Sequence, residues 1–259
     1  MTTALITGAS SGIGYELAWL FATDGHDLIL VARSEEILHR LAEALKGQFK
    51  VSVRVLAKDL SLPRAPDEIF IELQRDSVPV DFLVNNAGFG GHGFFAETDL
   101  DEELRMIQLN LASLTHLTKL FLPEMLKRRR GKILNLASTA AFVPGPLMAV
   151  YYATKAYVRS FSEALAEELK DTGVSVTCLC PGPTITEFQK RANLGKDMLL
   201  LKGGLMDSKG VARIGYKALM KNKRVVVAGW RNKFLMVLAH LTPRSLVARV
   251  IKILQARRK

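Results

Sequence analysis

Strand and helix signals alternate along this chain from its first residues to beyond residue 228, and few folds accept that pattern. Short apolar runs bounded by turn residues fall at 4–7, 27–32, 51–56, 82–85, 131–136, 175–180 and 224–228. Helical periodicity fills the gaps between them, as at 35–45, 100–127 and 152–170. Parallel strands need crossover helices, and right-handed crossovers place helices on both faces of one sheet. The expected fold is an α/β doubly wound parallel sheet of about seven strands. Such sheets take ligands beyond the carboxyl ends of their strands, where strand order reverses. The distinctive residues fall at those ends: Gly8, Arg33, Asp59, Asn86, Ser138 and Pro181 follow strands one to six in turn. No repeat or linker splits the chain. The expected organisation is one domain over 1–229, with a lid at about 186–208, and an extension over 230–259.

The first junction carries Thr7-Gly8-Ala9-Ser10-Ser11-Gly12-Ile13-Gly14, between an apolar run and a helix-like stretch. A glycine-rich turn there lets backbone approach a pyrophosphate resting on the helix N-terminus. The bland alternative is a tight turn. Further on, Tyr151 and Lys155 stand four apart, so a helix would put them on one face, and Ser138 precedes the tyrosine by 13 residues. An ammonium beside a phenol favours phenolate and draws its pKa down from about 10. Such a phenol can pass a proton to or from a carbonyl or alcohol oxygen, and a nearby serine can bond the same oxygen. Tyr152 has Ala156 four residues on, so only Tyr151 shares its face with the lysine.

These features resemble the short-chain dehydrogenase/reductase family, along nearly the whole chain. Its Thr-Gly-x-x-x-Gly-x-Gly motif is matched by Thr7 to Gly14, and its Asn-Asn-Ala-Gly by Asn85, Asn86, Ala87 and Gly88. Its Tyr-x-x-x-Lys pair matches Tyr151 and Lys155, its serine Ser138, its helix asparagine Asn110, and its Pro-Gly motif Pro181-Gly182-Pro183-Thr184-Ile185-Thr186. The resemblance implies a Rossmann fold and hydride transfer to or from a nicotinamide cofactor. In it Tyr151 is the acid/base, and Lys155 lowers its pKa and reaches the nicotinamide ribose. Ser138 orients the substrate oxygen. Asn110 holds a relay water through its backbone in a kinked helix; a capping or turn role is its structural alternative. Gly8, Ser10, Ser11, Gly12, Ile13 and Gly14 would carry the pyrophosphate. Asp59 and Leu60 would lie near the adenine, and Asn86, Ala87 and Gly88 along the adenosine. Pro181, Gly182, Thr184 and Thr186 would meet the carboxamide side. Relatives assemble as dimers or tetramers through two long helices, so a homodimer or homotetramer is expected.

The second strand ends Ala32-Arg33-Ser34. NAD enzymes of this fold place an acidic residue there, whereas a basic residue suits the 2′-phosphate of NADP. Arg33, aided by Ser34, therefore favours NADP over NAD. The chain departs from many NADP-using members in carrying Ser11 where they carry a basic residue. The loops after strands four, five and six are apolar, with Phe89, Phe94, Phe95, Phe142, Val143, Leu147, Met148, Phe188, Met198, Leu199, Leu200, Leu201, Leu205 and Met206. They suggest a hydrophobic ketone or secondary alcohol of acyl, lipid-like or steroid-like character; the alternative is that they only pack the lid. A non-catalytic dinucleotide-binding regulator or scaffold is the second reading, opposed by the intact Asn110, Ser138, Tyr151 and Lys155.

Charge is uneven. Residues 208–259 carry 14 Lys and Arg and no Asp or Glu, so the net +11 arises there and residues 1–207 sum to −3. No aromatic interleaving or binding motif accompanies the charge, so nucleic acid is not an expected partner. Taken as a helix, 244–259 gathers Leu246, Val247, Val250, Ile251, Ile253 and Leu254 into one sector with Arg244, Arg249 and Lys252 outside it, and Pro243 suits its start. That face fits an anionic membrane surface through 243–259, or else docks on the body or another subunit. With no signal-like start and no long apolar run, the expected place is the cytoplasm, with peripheral contact at the inner face of the membrane. Cys178 and Cys180 read as buried reduced thiols on one face of a strand. No Cys/His cluster has metal-ligand spacing, and the five histidines are expected to be structural or at the surface.

Overall fold

The structure is a computed structural model and describes residues 2–188, 192 and 204–256. Seven strands form one parallel sheet: β1 (Thr3–Thr7), β2 (Asp27–Ala32), β3 (Val53–Ala57), β4 (Phe82–Asn85), β5 (Gly131–Leu136), β6 (Val174–Cys180) and β7 (Val225–Val227). Their order is β3-β2-β1-β4-β5-β6-β7, so the order reverses between β1 and β4. The strands lie within two residues of the sequence expectations at either end. The middle strands are apolar throughout because they are covered on both faces, with β1 and β4 buried along their whole length.

One face carries α1 (Gly12–Thr23), α2 (Glu35–Gln48) and α7 (Ser208–Met220), whose Leu17, Phe21, Leu38, Leu45, Val211 and Leu219 build one core with β1 and β2. The other carries α3 (Ala65–Arg75), α5 (Leu114–Lys127) and α6 (Ala149–Glu168), where Ile69, Leu117, Phe121 and Leu165 pack beneath Leu5, Ile29 and Ile133. Burying one such side chain is worth about 1.5–3 kcal/mol. The two layers together hold the sheet.

The stretch expected as one helix over 100–127 is broken. It runs as α4 (Leu100–Ile107), a π-helix over Gln108–Ser113, and then α5. A π-turn widens the ladder and displaces its backbone groups from their α-helical partners. Two further helices follow β7: α8 (Trp230–Leu241) and α9 (Arg244–Gln255). Pro243 caps α9 with an extended ψ of 130°, as its lack of an N–H allows at a helix start. Cys178 and Cys180 are buried and free, their Sγ atoms 3.7 Å apart. Among the described residues no group of His, Cys, Asp and Glu could hold a metal, and no helix is long and apolar enough to cross a membrane.

Candidate active site

A cleft of about 860 Å³ lies over the carboxyl ends of the strands. At one end is the first strand–helix turn. Its Gly12 has φ +57° and would drive a Cβ to 2.8 Å from Thr186 Cγ2, so only glycine fits there. Gly14 sits one turn in, where a Cβ would reach 2.4 Å from both Asn86 Nδ2 and the Gly8 oxygen. Gly14 is thus a packing residue behind the cleft wall, while Gly8, Ser10, Ser11, Gly12 and Ile13 line it. Asn86 closes the turn from the β4 side: Nδ2 donates to the Thr7 oxygen at 2.8 Å, and its backbone N–H donates to Thr7 Oγ1 at 2.9 Å. Ser11 caps α1 without a side-chain bond, so no side chain caps the first N–H groups of that helix.

Arg33 and Ser34 line the same end with Asp59 and Leu60. Arg33 is mostly exposed and its Nη1 lies 3.9 Å from Asp59 Oδ2, a loose contact worth about 0–1 kcal/mol. The other Asp59 oxygen accepts from the backbone N–H and Oγ of Ser61. Lys58, which sequence reading passed over, also faces the cleft and pairs with Glu68 at 2.6 Å.

At the other end Ser138, Tyr151 and Lys155 meet. Ser138 caps the short turn Thr139–Phe142 after β5, where its Oγ accepts from Ala140 N–H at 3.1 Å and donates to the Pro181 oxygen at 3.4 Å. Tyr151 and Lys155 lie on one face of α6, with Nζ 5.8 Å from the ring centre. Nζ donates to the Leu136 oxygen at 2.8 Å. Burial pushes the Tyr151 phenol up to about 12, against which Ser138 pulls it down. Burial also draws Lys155 down to about 8. In this geometry burial is the larger influence on the phenol and Ser138 the smaller.

Asn110 lies in the π-helix, fully buried and behind the lining residues. Its Nδ2 donates to the Phe89 oxygen at 2.8 Å and to Thr154 Oγ1 at 3.2 Å, and Oδ1 accepts from Phe89 N–H at 3.1 Å. It is no cap: it pins the loop after β4 to α6, one residue from Lys155. Gly88 lies beside it, with space for a Cβ only 2.9 Å from Asn110 Oδ1. Ala87, Gly88, Pro181, Gly182, Thr184 and Thr186 all line the cleft. Of the apolar loop residues, Phe89, Val143, Met148 and Phe188 line it too, and the Phe188 ring centre lies 5.2 Å from that of Tyr151. Phe94, Phe95 and Leu147 instead flank a smaller hollow of about 290 Å³. Met198 to Leu201 fall outside the described residues.

The third wall comes from the extension, whose last apolar face the sequence left open between the body, another subunit and a membrane surface. Leu235 and Leu238 from α8, Thr242 just after it, and Leu246, Val247, Val250, Ile251 and Leu254 from α9 also line the cleft. Gln255 is buried, and its Nε2 donates to Tyr152 Oη at 2.5 Å while its backbone oxygen meets His92 Nε2 at 3.0 Å. His26, His39 and His116 also have partners, in Thr2, Glu35 and Asp67.

A glycine turn thus stands at one end of the α/β cleft and a serine, a tyrosine and a lysine at the other. The chain belongs to the short chain dehydrogenase family, whose pattern matches residues 2–197. It is 39% identical over 183 residues to a very-long-chain 3-oxoacyl-CoA reductase of Phaeosphaeria nodorum, covering 69% of this chain and 53% of that protein. The mouse protein of the same name is 36% identical over 191 residues, covering 72% and 61%. The chain thus spans about half to three fifths of the length of these curated relatives. A short-chain dehydrogenase of Sphingobium yanoikuyae, solved in complex with NADPH, has a TM-score of 0.82 at 30% identity, covering 100% of this chain and 99% of that one. The bulky-bulky ketone specific alcohol dehydrogenase of Comamonas testosteroni has a TM-score of 0.78 at 30% identity, covering 93% and 92%.

Proposed function

We propose that this chain reduces a hydrophobic ketone with NADPH, and that the ketone is a 3-oxoacyl chain carried as a thioester. The observation that carries the reading is the cleft itself. It joins the glycine turn and Arg33 to Ser138, Tyr151 and Lys155, then continues along an apolar wall from α8 and α9. The relatives named as 3-oxoacyl-CoA reductases and the NADPH complex support the substrate and the cofactor.

The residues fit the cofactor. The turn has glycine where backbone must lie close, the α1 N-terminus has no side-chain cap, and Arg33 offers a planar fork to a 2′-phosphate. Asp59 holds Arg33 too loosely to keep it from that role. When bound, the nicotinamide supplies the hydride. Ser138 and Tyr151 would hold the substrate oxygen between their hydroxyls, and Tyr151, protonated at neutral pH, would give its proton to the oxygen as charge develops there. The Lys155 ammonium, buried beside it, stabilises the phenolate left behind. Asn110 holds the β4 loop and α6 in register, and the π-turn around it would offer a backbone carbonyl to a relay water. Thr184 and Thr186 would face the carboxamide.

The test is initial-rate turnover of 3-oxoacyl thioesters of rising chain length, beside cyclic and steroid ketones, with NADPH and NADH. Expected is NADPH-dependent reduction whose kcat/KM rises with chain length, by at most about fourfold per buried methylene. No turnover of any carbonyl with either cofactor would overturn the reading; turnover of steroid ketones alone would move the substrate class. We also propose pairing through α5 and α6, where the half-buried rings of Tyr157 and Phe161 stack, with light scattering at micromolar concentration returning at least a dimer.

A further inference from the structure

Helix α8 has no buried residue, although most of its side chains are apolar. It carries two apolar stripes. Leu235, Leu238 and Ala239 face the cleft, and Trp230, Phe234, Val237 and Leu241 do not. The second set recurs at i, i+4, i+7 and i+11, one side of a helix, and its members are 76%, 64%, 55% and 76% exposed. Ile253 on α9 is 64% exposed and likewise lies outside the cleft lining. A contiguous apolar stripe on a rigid element marks an interaction site.

Charge selects the occupant. Arg231, Lys233, Arg244, Arg249 and Lys252 are all exposed on the same two helices, which contain no acidic residue. A two-fold contact between copies of this chain would set those cations against themselves, because such an interface presents the same patch on both sides. An anionic lipid surface meets both features at once, since the apolar stripe sinks into the headgroup boundary and the cations pair with lipid phosphates. We infer that α8 and α9 dock this protein on an anionic bilayer, lying in the interface without spanning it. The helices that would touch lipid with one side wall the cleft with the other. A hydrophobic substrate could then pass from bilayer to cleft between Leu235 and Leu238 on α8 and Leu246 and Val250 on α9.

Docking is measured without cofactor or substrate, so it stands or falls apart from the redox reading. The protein is mixed with vesicles of equal parts phosphatidylglycerol and phosphatidylcholine, or of phosphatidylcholine alone, and sedimented. A Trp19→Phe background leaves Trp230 as the sole tryptophan and a direct reporter of burial in lipid. Binding is expected with the anionic vesicles at about 20 mM salt, falling steeply by about 500 mM, with a blue shift of Trp230 emission. Arg231→Glu with Lys233→Glu should weaken partition at least tenfold. In the full-tryptophan background, Trp230→Ser with Phe234→Ser should abolish it. None of these residues lines the cleft, and an unchanged melting curve shows that each variant folds. Failure to bind anionic vesicles at low salt overturns the inference, as does equal binding to neutral vesicles. A blue shift that tracks protein concentration without lipid also overturns it and assigns the stripe to a second copy.

Discussion

At the scale of single residues, the site turns on two titrations that burial moves in opposite directions. Tyr151 is pushed up to about 12 and keeps its proton throughout the working range, so it stands ready as an acid. Lys155 is drawn down to about 8, so its ammonium is complete well below that pH and lost as pH rises through it. Carbonyl reduction should therefore hold a level kcat/KM below pH 8 and fall above it. Lys155→Met should lower the rate and flatten the profile through pH 8, and a fall that persists in that variant would point to another group. Tyr151→Phe keeps the ring and removes the transferable proton; it should cost at least about 10²-fold in kcat while NADPH binding stays near normal. At the other end, the proposed reading gives Arg33 a partner only in a cofactor with a 2′-phosphate. Arg33→Ala should raise the Kd for NADPH by about 10- to 100-fold, the worth of a charge-assisted bond, and hardly move that for NADH. Equal losses in a fluorescence titration would make Arg33 structural.

At the scale of elements, a buried polar network ties the sheet to the site. Asn85 Nδ2 donates to Asn135 Oδ1 at 2.9 Å and to Thr118 Oγ1 at 3.1 Å, and Asn135 Nδ2 donates to Ser162 Oγ at 3.0 Å. β4, β5, α5 and α6 are thereby pinned together beneath Tyr151 and Lys155. Two buried polar atoms here find no hydrogen-bond partner among the described residues: Asn85 Oδ1 in the network itself and Thr177 Oγ1 on β6. Thr177→Val keeps the shape and removes that desolvated hydroxyl, so it should stabilise the fold by about 1 kcal/mol, read as a higher Tm in thermal melts. The strands were legible because buried parallel strands are plain apolar runs, and the glycine turn, Ser138, Tyr151 and Lys155 were legible because their spacings are local. The break at Asn110 was expected as a kink only from the family resemblance, since Gln108–Ser113 keeps a helical composition and no local pattern marks a π-turn. Helix α8 was missed for a related reason. With apolar residues on both of its sides it has no clear polar stripe to set the period. The Gln255–Tyr152 contact joins residues 103 positions apart, which no local pattern encodes.

At the scale of the whole molecule, the sequence left two fates open for the terminal helix, a membrane surface or the protein body, and in the structure α9 rests one side on the body. Val247 and Gln255 are buried, Ile251 packs with Ala140, Met148 and Tyr152, and Leu246, Val250 and Ile253 stay exposed. The two large cores on either face of the sheet contain no residue of α8 or α9. The sheet and its helices should therefore fold without the last helix, and α9 should act as a wall added to a finished body. Removal of Arg244 onward strips the cover from Tyr152 and Ile251's neighbours. Burial of Val247 and parts of Ile251 and Leu254 is worth about 2–4 kcal/mol. In a chain this size each kcal/mol moves Tm by about 2–4 °C, so the truncated protein should melt about 5–15 °C lower but still cooperatively. NADPH affinity should survive, because the glycine turn and Arg33 lie at the far end of the cleft. The KM for a long acyl substrate should rise about tenfold or more, with a smaller change for a short one. Loss of the cooperative melt would show instead that α9 belongs to the folding core, and an unchanged long-chain KM would remove it from the substrate wall.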